Sequence, residues 1–172
     1  YLFRSTDRGH TWGNPSLIAD YCSEVNLAVL PDDRLFACLR QGTKFGEQWA
    51  GEGGVVLSVA SSDDGGRRWS TPRRILGKAQ SPGFPVRLHD GRLIIVYTHR
   101  QSPHGVQAIA SLDDGRTWDR PALRRLSFDG SLENNIIREV EAGDSVFHNI
   151  VEDPDDSDPQ RRYKALGFQD TT

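Results

Sequence analysis

Three carboxylates recur in one setting. Asp7, Asp64 and Asp113 each have a Ser two positions before, a Gly two after (Gly9, Gly66, Gly115) and a Trp five after (Trp12, Trp69, Trp118). A Pro follows three residues beyond each Trp, at Pro15, Pro72 and Pro121, and the copies start 57 and then 49 residues apart. An Asp can serve as a general acid or base. Inside S-x-D-x-G-x-(T/R)-W it has a nearer task, because its oxygens can accept N–H groups of its own turn and the Ser can add another bond. The Gly allows positive φ, and the Trp offers a large ring for burial between layers. These three Asp residues are therefore read as turn builders. Cys22 and Cys38 lack metal-ligand spacing and sit too far apart along a hairpin to bridge, so two free thiols are expected. The acidic run Asp153 to Asp158 lacks the Gly and terminal Glu of a calcium loop and reads as a solvated turn. Neither a metal nor a cofactor is expected.

The elements that must position these residues are short strands. Seventeen Gly and nine Pro in 172 residues favour turns over long helices. Apolar runs flank a second repeat, Leu30-Pro31-Asp32-Asp33-Arg34-Leu35 against Leu88-His89-Asp90-Gly91-Arg92-Leu93, with Leu30 expected opposite Leu35 and Cys38 opposite Leu27. A looser copy joins Val146–Val151 to Tyr163–Leu166. Strands also precede each octamer, and a short one is expected after each Trp. Four strands per ~50-residue period fit the blades of an antiparallel β-propeller. The expected division is 1–20 as the end of a blade, 21–78 and 79–127 as blades, and 128–172 as the start of the next.

Net charge is −3, with eighteen Arg and three Lys scattered singly or in pairs. No basic stripe suits a phosphate backbone, so no nucleic-acid partner is expected. No apolar run has the length of a membrane span. The chain opens on Tyr1 and has no Met, which reads as a segment of a longer protein.

Antiparallel order separates two ends. Octamers and the strand 1–2 turns share one end; starts of first strands and ends of second strands share the other. At that second end fall Glu24, Arg40 sixteen residues on, and Arg100, expected at the position in the next blade that matches Arg40. His99 and His104 lie in the same neighbourhood and read as polar surface. Trp49, in the long loop 41–53, is a candidate for stacking on a sugar ring.

The octamer is the Asp-box, and the chain resembles the sialidase (neuraminidase) superfamily of six-bladed propellers. Ser23-Glu24-Val25-Asn26-Leu27-Ala28-Val29-Leu30 running to Leu39-Arg40 is similar to a segment of that family. It carries a Glu that polarises a Tyr nucleophile, and on the returning strand one Arg of a triad that clamps the substrate carboxylate. The resemblance implies these roles for Glu24 and Arg40, places Arg100 near the next triad Arg, and implies a retaining, exo-acting glycoside hydrolase with a glycan substrate. A planar guanidinium pairs both carboxylate oxygens, which suits that task. Pro82-Gly83-Phe84-Pro85 keeps the proline of the family's F/Y-R-I-P motif but has Gly83 in place of its Arg, and no Tyr stands where the nucleophile is expected. The segment alone is therefore expected to be inactive. Phe128–Ile137 and Arg162–Leu166 also resemble segments of five-bladed furanosidase-type glycosidases, which makes Asn134 and Asn135 candidates for sugar hydroxyls. Asp-boxes occur in non-catalytic binding propellers too, a second possible class. By analogy with Asp-box enzymes the expected setting is extracellular or periplasmic.

Overall fold

A computed structural model describes residues 1–42, 55–139 and 147–167. Its described elements are β1 (Leu2–Arg4), β2 (Gly13–Ser16), β3 (Cys22–Val29), β4 (Leu35–Gln41), β5 (Val56–Ser62), β6 (Arg73–Arg74), β7 (Gly83–Arg87), β8 (Leu93–His99), β9 (Gly105–Ser111), β10 (Ile136–Glu139), β11 (Phe147–Glu152) and β12 (Tyr163–Gly167), with short 3-10 turns at Pro31–Asp33 and Pro159–Arg161. Two four-stranded antiparallel sheets, β3-β4-β5-β6 and β7-β8-β9-β10, stand between the two-stranded β1-β2 and β11-β12. The fold is all-β: an arc of antiparallel propeller blades.

Alternation along the strands explains why the blades stack. On β4, Phe36 and Cys38 enter one core, while Ala37 and Leu39 enter another with Ile18, Ala60 and the β1 residue Leu2. Successive side chains of a strand point to opposite faces, so each blade buries both. The larger core joins Phe36, Leu57 and Val59 of one blade to Leu93, Ile95, Tyr97 and Ile109 of the next. Phe36 also meets Trp118, with ring centroids 6.0 Å apart. Cys38 is fully buried here and Cys22 lies in the other core; both thiols are free, and burial pushes both up in pKa.

The hairpin register differs from expectation by one residue. Val29, not Leu30, faces Leu35, and Asn26, not Leu27, faces Cys38. The cause is the turn: Leu30 N–H donates to the Arg34 carbonyl at 2.7 Å, so Leu30 and Arg34 close it. Leu88 and Arg92 do the same at 2.8 Å, so the two hairpins share one closing bond, although Asp32 and Asp33 are both left-handed in the first turn and only Gly91 is in the second.

The blade boundaries also shift. β2 and β6 follow their Trp as expected, but after Trp118 only Asp119 bridges to Ala110. The fourth position of the second blade is taken by Ile136–Glu139, paired with β9. The stretch opening at 128 thus completes the second blade before β11 begins. Ile136 is buried, and Ile137 and Leu123 pack on Val96, Val106 and Ala108, which rewards this choice of edge strand.

Candidate functional site at the strand-start end

β3 and β5 begin, and β4 ends, at the end of the molecule away from the boxes. There Ser23 faces Arg40 and Asn26 faces Cys38, so three steps on β3 match two on β4. The extra residue is a β-bulge, and Glu24 within it adopts φ 47°. In a regular strand Ser23 and Glu24 would point to opposite faces. The bulge instead lets both reach one guanidinium: Arg40 Nη1 lies 3.5 Å from Ser23 Oγ and Nε 3.5 Å from Glu24 Oε2. Bulges re-aim side chains in this way, and positive φ in a non-glycine residue is strain retained by its surroundings. Arg40 is buried, its side chain 9% exposed, whereas Glu24 is 45% exposed and faces solvent. Arg40 is thus a sheltered residue rather than part of a solvated rim.

Arg100 approaches from the next blade. Its N–H donates to the Ala79 carbonyl at 2.8 Å, and Thr98 N–H donates to Pro82 at 3.2 Å. Asn26 Nδ2 donates to the Gly83 carbonyl at 3.1 Å and ties β3 to β7 beside the bulge. Register corrects one expectation: Leu35 pairs with Ser62 as Leu93 pairs with Ser111, so Thr98 is the counterpart of Arg40. Arg100 stands two residues further, in the turn leaving β8. It still senses the cluster. Partial desolvation lowers the pKa of this surface guanidinium, the Arg40 cation lowers it further, and Glu24 opposes both. Two cations and one carboxylate from two blades can hold an anion while keeping a carboxylate beside it.

The boxes are built as turns. In the first, Asp7 Oδ1 accepts the Thr11 N–H at 2.8 Å and Oδ2 the Thr11 hydroxyl at 2.6 Å, while Ser5 Oγ accepts Gly9 N–H at 2.7 Å. Asp113 does the same with Thr117, and Asp64 takes the N–H groups of Arg67 and Arg68, both at 2.9 Å. These bonds hold Asp7 down to a pKa of about 2, chiefly through the Thr11 hydroxyl, and hold Asp64 and Asp113 lower still through the backbone of Arg68 and Thr117. Trp69 and Trp118 are partly buried, but Trp12 is 66% exposed, contrary to the expected burial between blades.

Other candidates are not brought to the cluster. Asn135 is buried with Nδ2 donating to the Ala108 carbonyl at 2.8 Å, and Asn134 donates to Leu126 and Ser131 while accepting Ile136 N–H. Their amides are engaged in the β9–β10 connection. Trp49 lies outside the described residues. His99 is buried with Nδ1 2.9 Å from the Pro103 carbonyl. At Gly83 a Cβ would come within 2.7 Å of Leu57 and 3.0 Å of Ile95, so this position has no room for the Arg of the F/Y-R-I-P motif. In the acidic loop, Lys164 Nζ bridges Asp153 and Asp156, so an ammonium occupies the centre of that charge. Among the described residues no group of three His, Cys, Asp or Glu could hold a metal, and no helix is long and apolar enough to cross a membrane. Ser23 and Asn26 were not singled out by sequence; their types carry no signal until the bulge places them.

Blades, boxes and turns together define the class, and the family follows. The chain belongs to the BNR repeat-like domain family, whose model matches residues 1–142. Among solved structures it is similar to a protein of unknown function from Dyadobacter fermentans (24% identity, TM-score 0.49, covering 63% of this chain and 28% of that one). It is also similar to a Hadza microbial sialidase (24% identity, TM-score 0.49, covering 67% of this chain and 29% of that one). The chain thus spans under a third of the length of either. No curated protein matches it.

Proposed function

We propose that this chain is part of a sialidase-like glycoside hydrolase, exo-acting and retaining, that recognises an acidic glycan by clamping its carboxylate. The observation that carries this reading is the bulge that turns Glu24 against Arg40 while Arg100 arrives from the next blade. Arg40 and Arg100 take the carboxylate, since each guanidinium offers a planar fork of donors. Glu24 stays half-exposed at its side, where the resemblance gives it the task of polarising a tyrosine nucleophile. A buried cation gains from a ligand carboxylate more than an exposed one would.

The test uses the whole parent protein. A fluorogenic glycoside of a carboxylated sugar should be cleaved with retention of anomeric configuration, and Glu24→Gln should lower kcat while leaving KM nearly unchanged. Cleavage of neutral glycosides alone, or unchanged kcat in Glu24→Gln, would sink the proposal.

A further inference from the structure

The end opposite Glu24 carries a groove of its own. Two hollows share Arg34, Ser61 and Ser70 and so adjoin: one of about 490 Å3 lined from both blades, and one of about 540 Å3 lined from the β3–β6 blade alone. Each is within the range of small-molecule sites. At one extremity stands Trp69, partly exposed, its indole N–H fixed to the Gly66 carbonyl at 3.0 Å, with Arg68 beside it. At the other stand Arg73 and Arg116, both exposed.

Charge in the groove is positive. Arg34, Arg68, Arg73 and Arg116 line it against Asp63 and Asp114. Asp114 is already held by Arg34 at 2.6 Å and by Arg87 at 3.5 Å, and Asp64 holds Arg68 Nε at 3.0 Å, which leaves Arg73 and Arg116 against Asp63. Arg73 gives one N–H to the Gly115 carbonyl at 2.5 Å and retains other donors of its fork. An aromatic face, the hydroxyls of Ser70 and Thr71, and guanidinium forks in one groove match the three parts of an acidic sugar: ring face, hydroxyls and acid group.

We propose that this groove binds an acidic oligosaccharide, with a carboxylate or sulfate ester on Arg73 and Arg116 and a sugar ring on Trp69. A seven-residue strand at ~3.3 Å per residue puts this site roughly 20 Å from Glu24. The two sites are therefore independent, and a long acidic glycan could be anchored at one end of the propeller while the other is unoccupied.

The experiment is titration calorimetry of the protein with four probes: a sulfated glucosamine–uronate octasaccharide, its fully desulfated counterpart, a neutral glucose octasaccharide and a phosphoserine peptide. Binding of the sulfated probe alone assigns the site to sulfate esters; binding of both acidic probes assigns it to carboxylates as well. Arg116→Gln, at an exposed position, should weaken the acidic probe at least about fivefold and lower its salt dependence, and Arg116→Glu should abolish binding. Arg73→Gln should act likewise; if it lowers stability through Gly115, the Arg116 pair decides. In an Arg40→Lys background, which removes the carboxylate clamp proposed at the other end, Arg116→Gln should cost the same fold in affinity as it does alone, because the two sites are independent. Equal affinity for the neutral octasaccharide, indifference to both Arg116 variants, an Arg116→Gln effect that vanishes in the Arg40→Lys background, or binding of the phosphopeptide alone would overturn the proposal.

Discussion

The hydroxyl of Ser16 donates to the carbonyl of Gly66 across a blade boundary. One blade on, Arg73 makes the same bond to Gly115 at 2.5 Å. Each donor stands four residues after a box Trp, and each acceptor is the box glycine of the following copy. The third copy puts Ala122 at this position, with no side-chain donor. That is also the copy in which the strand after the Trp shrinks to the Asp119 bridge and Ile136–Glu139 takes the blade edge.

Substituting the box glycines should separate backbone strain from packing between blades. Gly9, Gly66 and Gly115 all have φ between 78° and 88°, so Ala at any of them meets a left-handed penalty of roughly 1–2 kcal/mol. At Gly9 the added carbon meets only Trp12, at 3.8 Å; at Gly66 it runs into Leu2, and at Gly115 into Phe36 at 2.6 Å. Gly66→Ala and Gly115→Ala should therefore lose about 1–3 kcal/mol more than Gly9→Ala in urea unfolding. Equal losses at the three sites would show that the neighbouring blade yields freely.

Acid should loosen the boxes in a defined window. Asp7, Asp64 and Asp113 have an ordinary pKa of 3.8 that folding depresses, to about 2 for Asp7 and further for the other two. Between these values and about 4 the unfolded chain binds more protons, so stability contributed by the boxes is full above that range and declines as pH falls through it. The midpoint of thermal unfolding should drop from pH 5 to pH 2.5. In Asp64→Asn/Asp113→Asn it should start lower at pH 7 and fall less. A parallel fall in both proteins would place the acid sensitivity elsewhere.

The contrast between what was and was not legible follows from range. Each box closes through bonds spanning two to four residues, such as Ser62 to Gly66 and Asp113 to Thr117, so its residue types announce it. The two turns with their Leu–Arg closures were equally visible, though their register was not, because one bond from Leu30 to Arg34 decides it. Which strand fills the second blade's edge depends on Ile136 and Ile137 finding a core that no local window contains. The bulge at Glu24 is a mismatch between two strands and leaves no mark on either one alone. Asn134 and Asn135 looked polar and available; the connection they stabilise was invisible.

Glu24 should be a residue held at some cost to stability. Replacing it by Gly relieves φ 47°, worth on the order of 1 kcal/mol, while the ion pair it loses is long, at 3.5 Å, and its carboxylate is half-exposed beside a buried guanidinium, so it is worth ~1 kcal/mol or less. The two effects offset, so Glu24→Gly should unfold within about 1 kcal/mol of the parent. Catalysis by the parent protein should nevertheless fall sharply. A large destabilisation in chemical denaturation would make Glu24 a scaffold residue instead.

The carboxylate clamp is best probed with Arg40→Lys. Arg40→Ala would empty a position that is only 8% exposed and confuse packing with recognition. Lys preserves the charge and most of the stem but replaces a planar fork by a point charge, so paired contact with both oxygens of a carboxylate is lost. Affinity for a carboxylated sugar should fall about tenfold or more, equivalent to at least ~1.4 kcal/mol. Affinity for the same sugar with its carboxylate converted to an amide should change little, since no charge is there to clamp. Arg100→Gln should show the same selectivity, and the two variants combined should lose less than the sum if both forks hold one group, because contacts to a shared partner are not additive. Should Arg40→Lys weaken the acid and the amide alike, Arg40 supports the bulge and does not read the ligand.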